Sequence, residues 1–166
     1  FFKVGDFSED LAYETALQDS KRYAETLKSF RGLYTSEVVS EVLKQKQLKI
    51  THDYKDIQYD STGAIPLPAT LCMMLADKMT TGNTKVKLYS KYPFPWRKNR
   101  ELTEIEVRAF EYFEKNRDSD SAYYEIDKVS KLVRYAIPDK MTSMSCVNCH
   151  NNHPQSPKLG WQLGDV

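Results

Sequence analysis

Residues 145–154 read SCVNCHNNHP, a stretch that holds Cys146 and Cys149 with His150 directly after the second cysteine. Three chemistries use a C-x-x-C pair: a structural zinc site, a thiol–disulfide couple, and covalent attachment of a c-type haem. Only the last calls for a histidine immediately after the second cysteine. Each thiol then joins a vinyl group of the porphyrin, so two cysteines must lie within fixed reach on one side of the ring. The adjacent imidazole comes up under the iron, as proximal histidines commonly do. The stretch is therefore a candidate site for one covalent haem c, held by Cys146 and Cys149, with His150 as iron ligand.

Zinc is the strongest rival, because Cys146, Cys149, His150 and His153 are all suitable ligands within residues 146–153. Neighbouring Cys149 and His150 turn onto one small tetrahedral ion only with difficulty, and structural sites usually draw their ligand pairs from separate segments. The thiol–disulfide reading favours a cysteine at a helix N-terminus after a buried strand. Residues 141–145, MTSMS, suggest no such strand.

A haem also needs something on the other face of the iron. Met144 and Met141 are thioethers close in sequence, His52 follows the first helical stretch, and Cys72 sits beside Met73 and Met74. For each of these, ordinary packing or solvent exposure stands beside the ligand role. An open or water-filled sixth position is a further alternative. His153 lies too close behind His150 to cross the ring and fits a propionate edge. Arg134, Arg97, Lys98 and Arg100 are candidate propionate partners, with Arg134 favoured because it lies on the strand expected before the motif. Trp96 and Trp161 are flat enough to cover a porphyrin, and Tyr34, Tyr54, Tyr89 and Tyr92 are candidate pocket residues, although aromatic side chains also serve in plain cores.

The elements that must position these groups follow from periodicity. Residues 9–46 read as one long helix, with Leu17, Tyr23, Leu27, Phe30, Tyr34, Val38 and Val42 recurring at helical steps and Gly32 allowing a local bend. Two shorter helices would satisfy the same pattern. Residues 1–33 are a candidate projecting extension of a single domain spanning 1–166. In "GAIPLPATLCMMLADKM", residues 63–79, the prolines force an extended lead-in and Thr70 is the expected cap of a helix running to Met79. Residues 85–94 alternate like a strand, residues 102–115 read as a helix burying Val107, Phe110 and Phe113, and "SAYYEID" and "KLVRYAIPD" form an expected hairpin. The tail from Met141 holds the motif in a turn-rich context. The sum is an α+β fold.

Composition is that of a globular chain: 166 residues suffice for one core, and 40% hydrophobic with 28% charged residues excludes disorder. The net charge of +1 comes from intermixed acids and bases, which argues against nucleic-acid binding. The cluster Arg97, Lys98, Arg100 is offset by Glu101 and Glu104. No apolar run reaches membrane-spanning length. The chain opens at Phe1-Phe2-Lys3 without an initiator methionine, and we read it as a cut fragment. The count of three cysteines cannot close a disulfide framework. No glycine-rich phosphate loop or catalytic constellation occurs, so an enzyme is not expected.

Four segments, "AIPLPATL", "YSKYPFPWRKNREL", "VRYAIPDKMTSMSCVNCHN" and "HPQSPKLGWQLGDV", together resemble the DUF3365 or Tll0287-like family. The resemblance runs from about Tyr34 to Val166. It implies a c-type haem-binding domain with a PAS-like antiparallel sheet, a long N-terminal helix and short flanking helices. It further implies the extracytoplasmic, periplasmic portion of an inner-membrane signalling protein. Output parts in such proteins are cyclases, histidine kinases or chemotaxis transducers, and "IPLPATL" looks most like the cyclase-associated versions. Carried over by position, Cys146 and Cys149 hold the porphyrin and His150 the iron. A soluble kind of member takes a second axial ligand from a cysteine in the long helix. This chain has no cysteine before Cys72, so that ligand does not carry over. A redox partner or a diatomic gas, and a homodimer through the N-terminal helix, complete what the resemblance leads one to expect. The alternative function is a periplasmic c-type cytochrome that transfers electrons.

Overall fold

The computed structural model describes residues 4–45, 48–53, 63–97 and 100–166. Tyr54 and Lys98, named above, lie outside them. The architecture is α+β. The chain divides into two compact units, one of Thr26–Leu88 and one of Phe1–Glu25 with Tyr89–Val166.

Helix α1 (Val4–Leu33) runs on through a π-helical stretch (Tyr34–Val39) into α2 (Ser40–Gln45), as the uninterrupted 9–46 pattern leads one to expect. The wide turn is made by Ser40, whose backbone N–H reaches the Thr35 carbonyl while its hydroxyl donates to the same oxygen at 3.0 Å. The inward stripe is the expected one only in part: Leu17, Leu27, Tyr34 and Val42 are half-buried, but three of the expected residues are not. Tyr13 is buried and Leu17, Ala24, Leu27 and Arg31 half-buried, whereas Tyr23, Phe30 and Val38 are 45%, 38% and 40% exposed. Leu17–Ala24–Arg31 and Tyr23–Phe30 are parallel seven-residue rows on neighbouring faces, and spacing alone does not say which row turns inward.

In the unit of residues 26–88, β1 (Lys49–Thr51) pairs in parallel with β2 (Ala64–Pro66), in the register Lys49 to Ala64 and Thr51 to Pro66. Gly63, at φ +71°, starts β2; a Cβ there would lie 2.9 Å from Leu48 Cδ2. Helix α3 (Pro68–Met79) begins with Pro68 in its first turn and Leu67 as N-cap, earlier than the expected Thr70. Proline's fixed φ suits the first helical position. Thr70 is instead buried inside the helix, its hydroxyl donating to the His52 carbonyl at 3.4 Å. The Tyr34 hydroxyl donates to the Pro66 carbonyl at 2.9 Å and so holds the π-helical stretch to β2.

The alternation over 85–94, which passes at Tyr89 from that unit into the other, does not become a strand. Among the described residues the nearest pairing is an isolated bridge between Thr81 and Thr84. Alternation aims side chains, but a strand also needs a partner edge. Here Ser90 Oγ accepts the Tyr92 N–H at 3.0 Å and turns the chain, and Pro93 brings no N–H. A 3-10 turn (Pro95–Arg97) follows.

Helix α4 (Glu104–Lys115) starts from a capping box in which Glu106 accepts the Thr103 N–H at 2.9 Å. Its Phe110 and Phe113 are buried as expected, Val107 is half-buried, and Ala109 joins them. Arg100 pairs with Glu106 and stands 5.5 Å over the Tyr89 ring, which meets Phe110 edge-on at 5.6 Å. Burial pushes the Tyr89 hydroxyl up to about 12. Glu106 is 8% exposed. Glu106→Ala removes both a helix cap and the partner of Arg100, and is expected to cost about 2 kcal/mol. A urea midpoint that falls with an unchanged slope is the check.

The expected hairpin forms from β3 (Tyr123–Asp127) and β4 (Leu132–Ala136), antiparallel, with Glu125 opposite Arg134. Asp127 holds its turn by accepting the Val129 and Ser130 N–H groups at 3.0 and 3.1 Å. The N-terminal part of α1 belongs to this unit: Tyr13 lies under Lys128, 6.0 Å from its ring, and Lys128 reaches Asp10 at 3.4 Å.

Candidate functional site

The cysteine motif lies on a helix, α5 (Met144–Asn152), which its turn-rich surroundings did not announce. Ser143 is the N-cap; its hydroxyl oxygen accepts the Cys146 N–H at 3.3 Å and lies 3.1 Å from the Cys146 sulfur. At the other end the His153 N–H closes on the Cys149 carbonyl at 3.0 Å, and Pro154 stops the helix. Val147 is the buried anchor.

Helical geometry sorts the motif side chains. At about 100° per residue, Cys149 stands roughly 60° to one side of Cys146 and His150 roughly 40° to the other. All three therefore share one face. Met144 falls about 160° from Cys146, on the opposite face, and is 54% exposed. The helix thus carries this candidate distal ligand away from His150.

Both motif thiols are free, Cys146 half-buried and Cys149 more open. Desolvation of the sulfur, and then the neighbouring Cys146 thiol, push the Cys149 thiol above its usual range. A reactive redox cysteine wants the opposite shift. The placement of Cys146 in the first turn of a helix is the one feature that reading asked for, and no strand leads into it. The zinc arrangement is not assembled either. Among the described residues, no three His, Cys, Asp or Glu side chains gather closely enough to hold a metal ion. His153 is further constrained, since its Nδ1 accepts the Gln155 N–H at 3.1 Å.

Aromatic rings surround His150. Phe94 meets it edge-on at 5.2 Å and Trp161 at 5.3 Å. Phe94 also stacks on Trp96 at 4.6 Å and touches His153 edge-on at 5.1 Å, and Trp96 and His153 are 5.4 Å apart. The two tryptophans and both motif-region histidines named from the sequence are therefore brought together, with Phe94 at their centre. Tyr92 joins through Trp161 at 5.8 Å.

Trp161 is 4% exposed and is clamped to α5 by the side chain next to His150. Asn151 Nδ2 donates to the Trp161 carbonyl at 2.9 Å, and the Trp161 N–H donates to Asn151 Oδ1 at 2.8 Å. Lys158 Nζ sits 4.2 Å from the Trp161 ring centroid and 5.2 Å from that of Tyr92, and bonds Asp165 at 3.1 Å. Buried Asp165 also takes Arg117 and the Gln162 N–H. The chain end returns to the start of the motif, where Met141 exchanges backbone bonds with Asp165 and Gly164 at 2.8 and 3.0 Å. Gly164 supports this turn at φ +85°.

The candidate propionate partners stand on three different segments. Arg134 stands opposite Glu125 on the hairpin and Arg100 pairs with Glu106, while Arg97 closes the 3-10 turn after Trp96. Of the other distal candidates, Cys72 is buried on α3 and His52 is exposed just after β1, both in the unit of residues 26–88. Burial raises the Cys72 thiol against the pull of Arg31. Sequence reasoning passed over Phe94, Asn151, Lys158 and Asp165. The first closes the expected strand over 85–94, and the others make their contacts only once the tail folds back on α5.

The donor set suits a covalent porphyrin: two free thiols and an imidazole on one helical face, backed by flat apolar rings. In comparison with protein families, residues 9–166 match the family described as Tll0287-like. No curated protein and no solved structure matches the chain.

Proposed function

The chain belongs to the Tll0287-like family, and from that premise we propose that it is an extracytoplasmic haem c-binding sensor domain of a membrane-bound signalling protein, responding to redox state or to a diatomic gas. The observation that carries the reading is the common face of α5 that presents Cys146, Cys149 and His150 against Phe94 and Trp161. A binding module, not an enzyme, is the role these residues suit.

Cys146 and Cys149 supply the two thiols for thioether bonds, and His150 supplies the imidazole. Bound haem would provide an iron centre able to change oxidation state or take up a small ligand. Phe94 and Trp161 stand edge-on to the His150 ring and shield it, with Trp96 stacked behind Phe94. Asn151 follows His150 directly and grips Trp161 through both of its amide atoms. A shift of α5 at His150 is therefore felt at Trp161 and in the segment that ends at Val166. Such a shift alters signalling only if the two conformations differ in affinity for the signal. The family premise is what favours a sensor over a carrier.

Optical titration of the ferrous protein, made in a host with cytochrome c maturation, is the test. Carbon monoxide or nitric oxide is expected to bind the reduced form and move its absorption bands. A ferrous spectrum that stays low-spin and unmoved by either gas, together with rapid reversible electron exchange, would assign the protein to electron transfer.

A further inference from the structure

The tail carries a polar pair that the attachment motif does not explain. Trp161 Nε1 is buried without an acceptor among the described residues, although the residue is 96% buried (4% exposed) and its ring lies 5.3 Å from His150. Folded proteins rarely leave such a donor without a partner. Beside the same ring stands Lys158 Nζ, 4.2 Å from the centroid. An ammonium has three N–H donors, and its ion-pair partner here is Asp165 at 3.1 Å. Asp165 does not rely on Lys158 alone, since Arg117 and the Gln162 N–H also serve it. Donor capacity at Lys158 is therefore available for a second acceptor.

We propose that Trp161 Nε1 and Lys158 Nζ form a carboxylate-binding pair whose ligand is a propionate of the haem held at Cys146 and Cys149. The assignment rests on the haem reading above and adds the residues that orient the porphyrin edge. It gives the tail a role for which Arg134, on β4 opposite Glu125 of β3, is the candidate read from the sequence. The Ser156 hydroxyl, donating to the Lys158 carbonyl at 2.8 Å, holds the backbone that aims the lysine.

The test uses the full chain with Cys146→Ala and Cys149→Ala, which keeps His150 and lets haem be titrated without covalent attachment. Haem and haem dimethyl ester, in which both carboxylates are blocked, are compared. The parent is expected to bind haem about tenfold more tightly than the ester, the worth of one charge-assisted contact. Lys158→Met should bring that ratio close to one, and Lys158→Arg should restore most of it. Trp161→Phe, which retains a ring but not the N–H, should lower the ratio partway. Equal affinity for the two compounds in the parent, or a ratio unchanged by Lys158→Met, overturns the proposal. Haem staining of the matured wild-type protein on a denaturing gel is read in parallel. If that stain is absent the haem reading itself falls, whereas stain without discrimination rejects only the carboxylate pair.

Discussion

Replacing Cys146 and Cys149 together with serine is expected to abolish all haem that survives denaturation. Non-covalent haem leaves a protein when the fold is lost, while thioether bonds do not depend on the fold. Denaturing electrophoresis with peroxidase staining therefore reads the two bonds alone. The matured wild-type chain should stain and weigh one haem more than its polypeptide. The double variant should do neither, and each single variant should retain a weaker signal through its remaining thiol. Both cysteines sit on a partly open helix whose buried anchor is Val147. Serine is close in size and keeps the cap at Ser143 intact, so the fold is expected to persist, with far-ultraviolet circular dichroism as the control. A bound zinc ion would also be lost in the double variant, but it would never stain. A mass equal to the bare polypeptide in matured wild-type samples would end the haem reading.

The second large effect concerns Asp165. It is 6% exposed and accepts bonds from Arg117, from Lys158 at 3.1 Å and from the Gln162 N–H at 3.1 Å. Asp165→Ala leaves these donors facing an apolar side chain and is expected to cost about 3 kcal/mol, since removing one partner of a buried ion pair strands the others. Burial by itself pushes this carboxyl up, but the Gln162 amide, Lys158 and Arg117 outweigh it and hold the group below its usual value. The folded state then binds the proton less tightly than the unfolded chain, for which the reference is about 3.9. The resulting stability is complete above that value and is lost as pH falls through the lower, folded one. Urea unfolding across the acid range should show wild-type stability falling below about pH 4. Asp165→Asn should be less stable at neutral pH and should lose the part of the acid slope that belongs to this group. An acid slope unchanged by Asp165→Asn would show that other carboxylates carry it.

What could be read along the chain was whatever depends on neighbours in sequence. The hairpin of β3 and β4 was legible because both strands and their turn lie within fifteen residues or so and set each other's register. Helix α4 was legible because Thr103 and Glu106 form a cap three residues apart and the apolar spacing follows at once. The C-x-x-C-H pattern is equally local, since the reach between two thiols and an imidazole is set by covalent geometry. That is why Cys146, Cys149 and His150 were named before any fold was known.

Contacts between distant residues were a different matter. Tyr23 and Phe30 were the apolar residues expected on the inward face of α1, yet Ala24 and Arg31 of a parallel row are the half-buried ones, a choice only a packed neighbour makes. Residues 85–94 alternate correctly but no described strand lies beside them, and hydrogen bonding needs a second edge as well as a pattern. Arg134, favoured for its place before the motif, stands opposite Glu125 in the hairpin, a pairing set by the strand register and not by distance from the motif. Lys158 came to stand over Trp161 because the Asn151 amide draws the tail back onto α5 and the chain end bonds to Met141. Spacing along a chain fixes which atoms a short segment can offer together, while closure of the tail, whose cost in entropy only long-range bonds offset, selects the groups that stand around them.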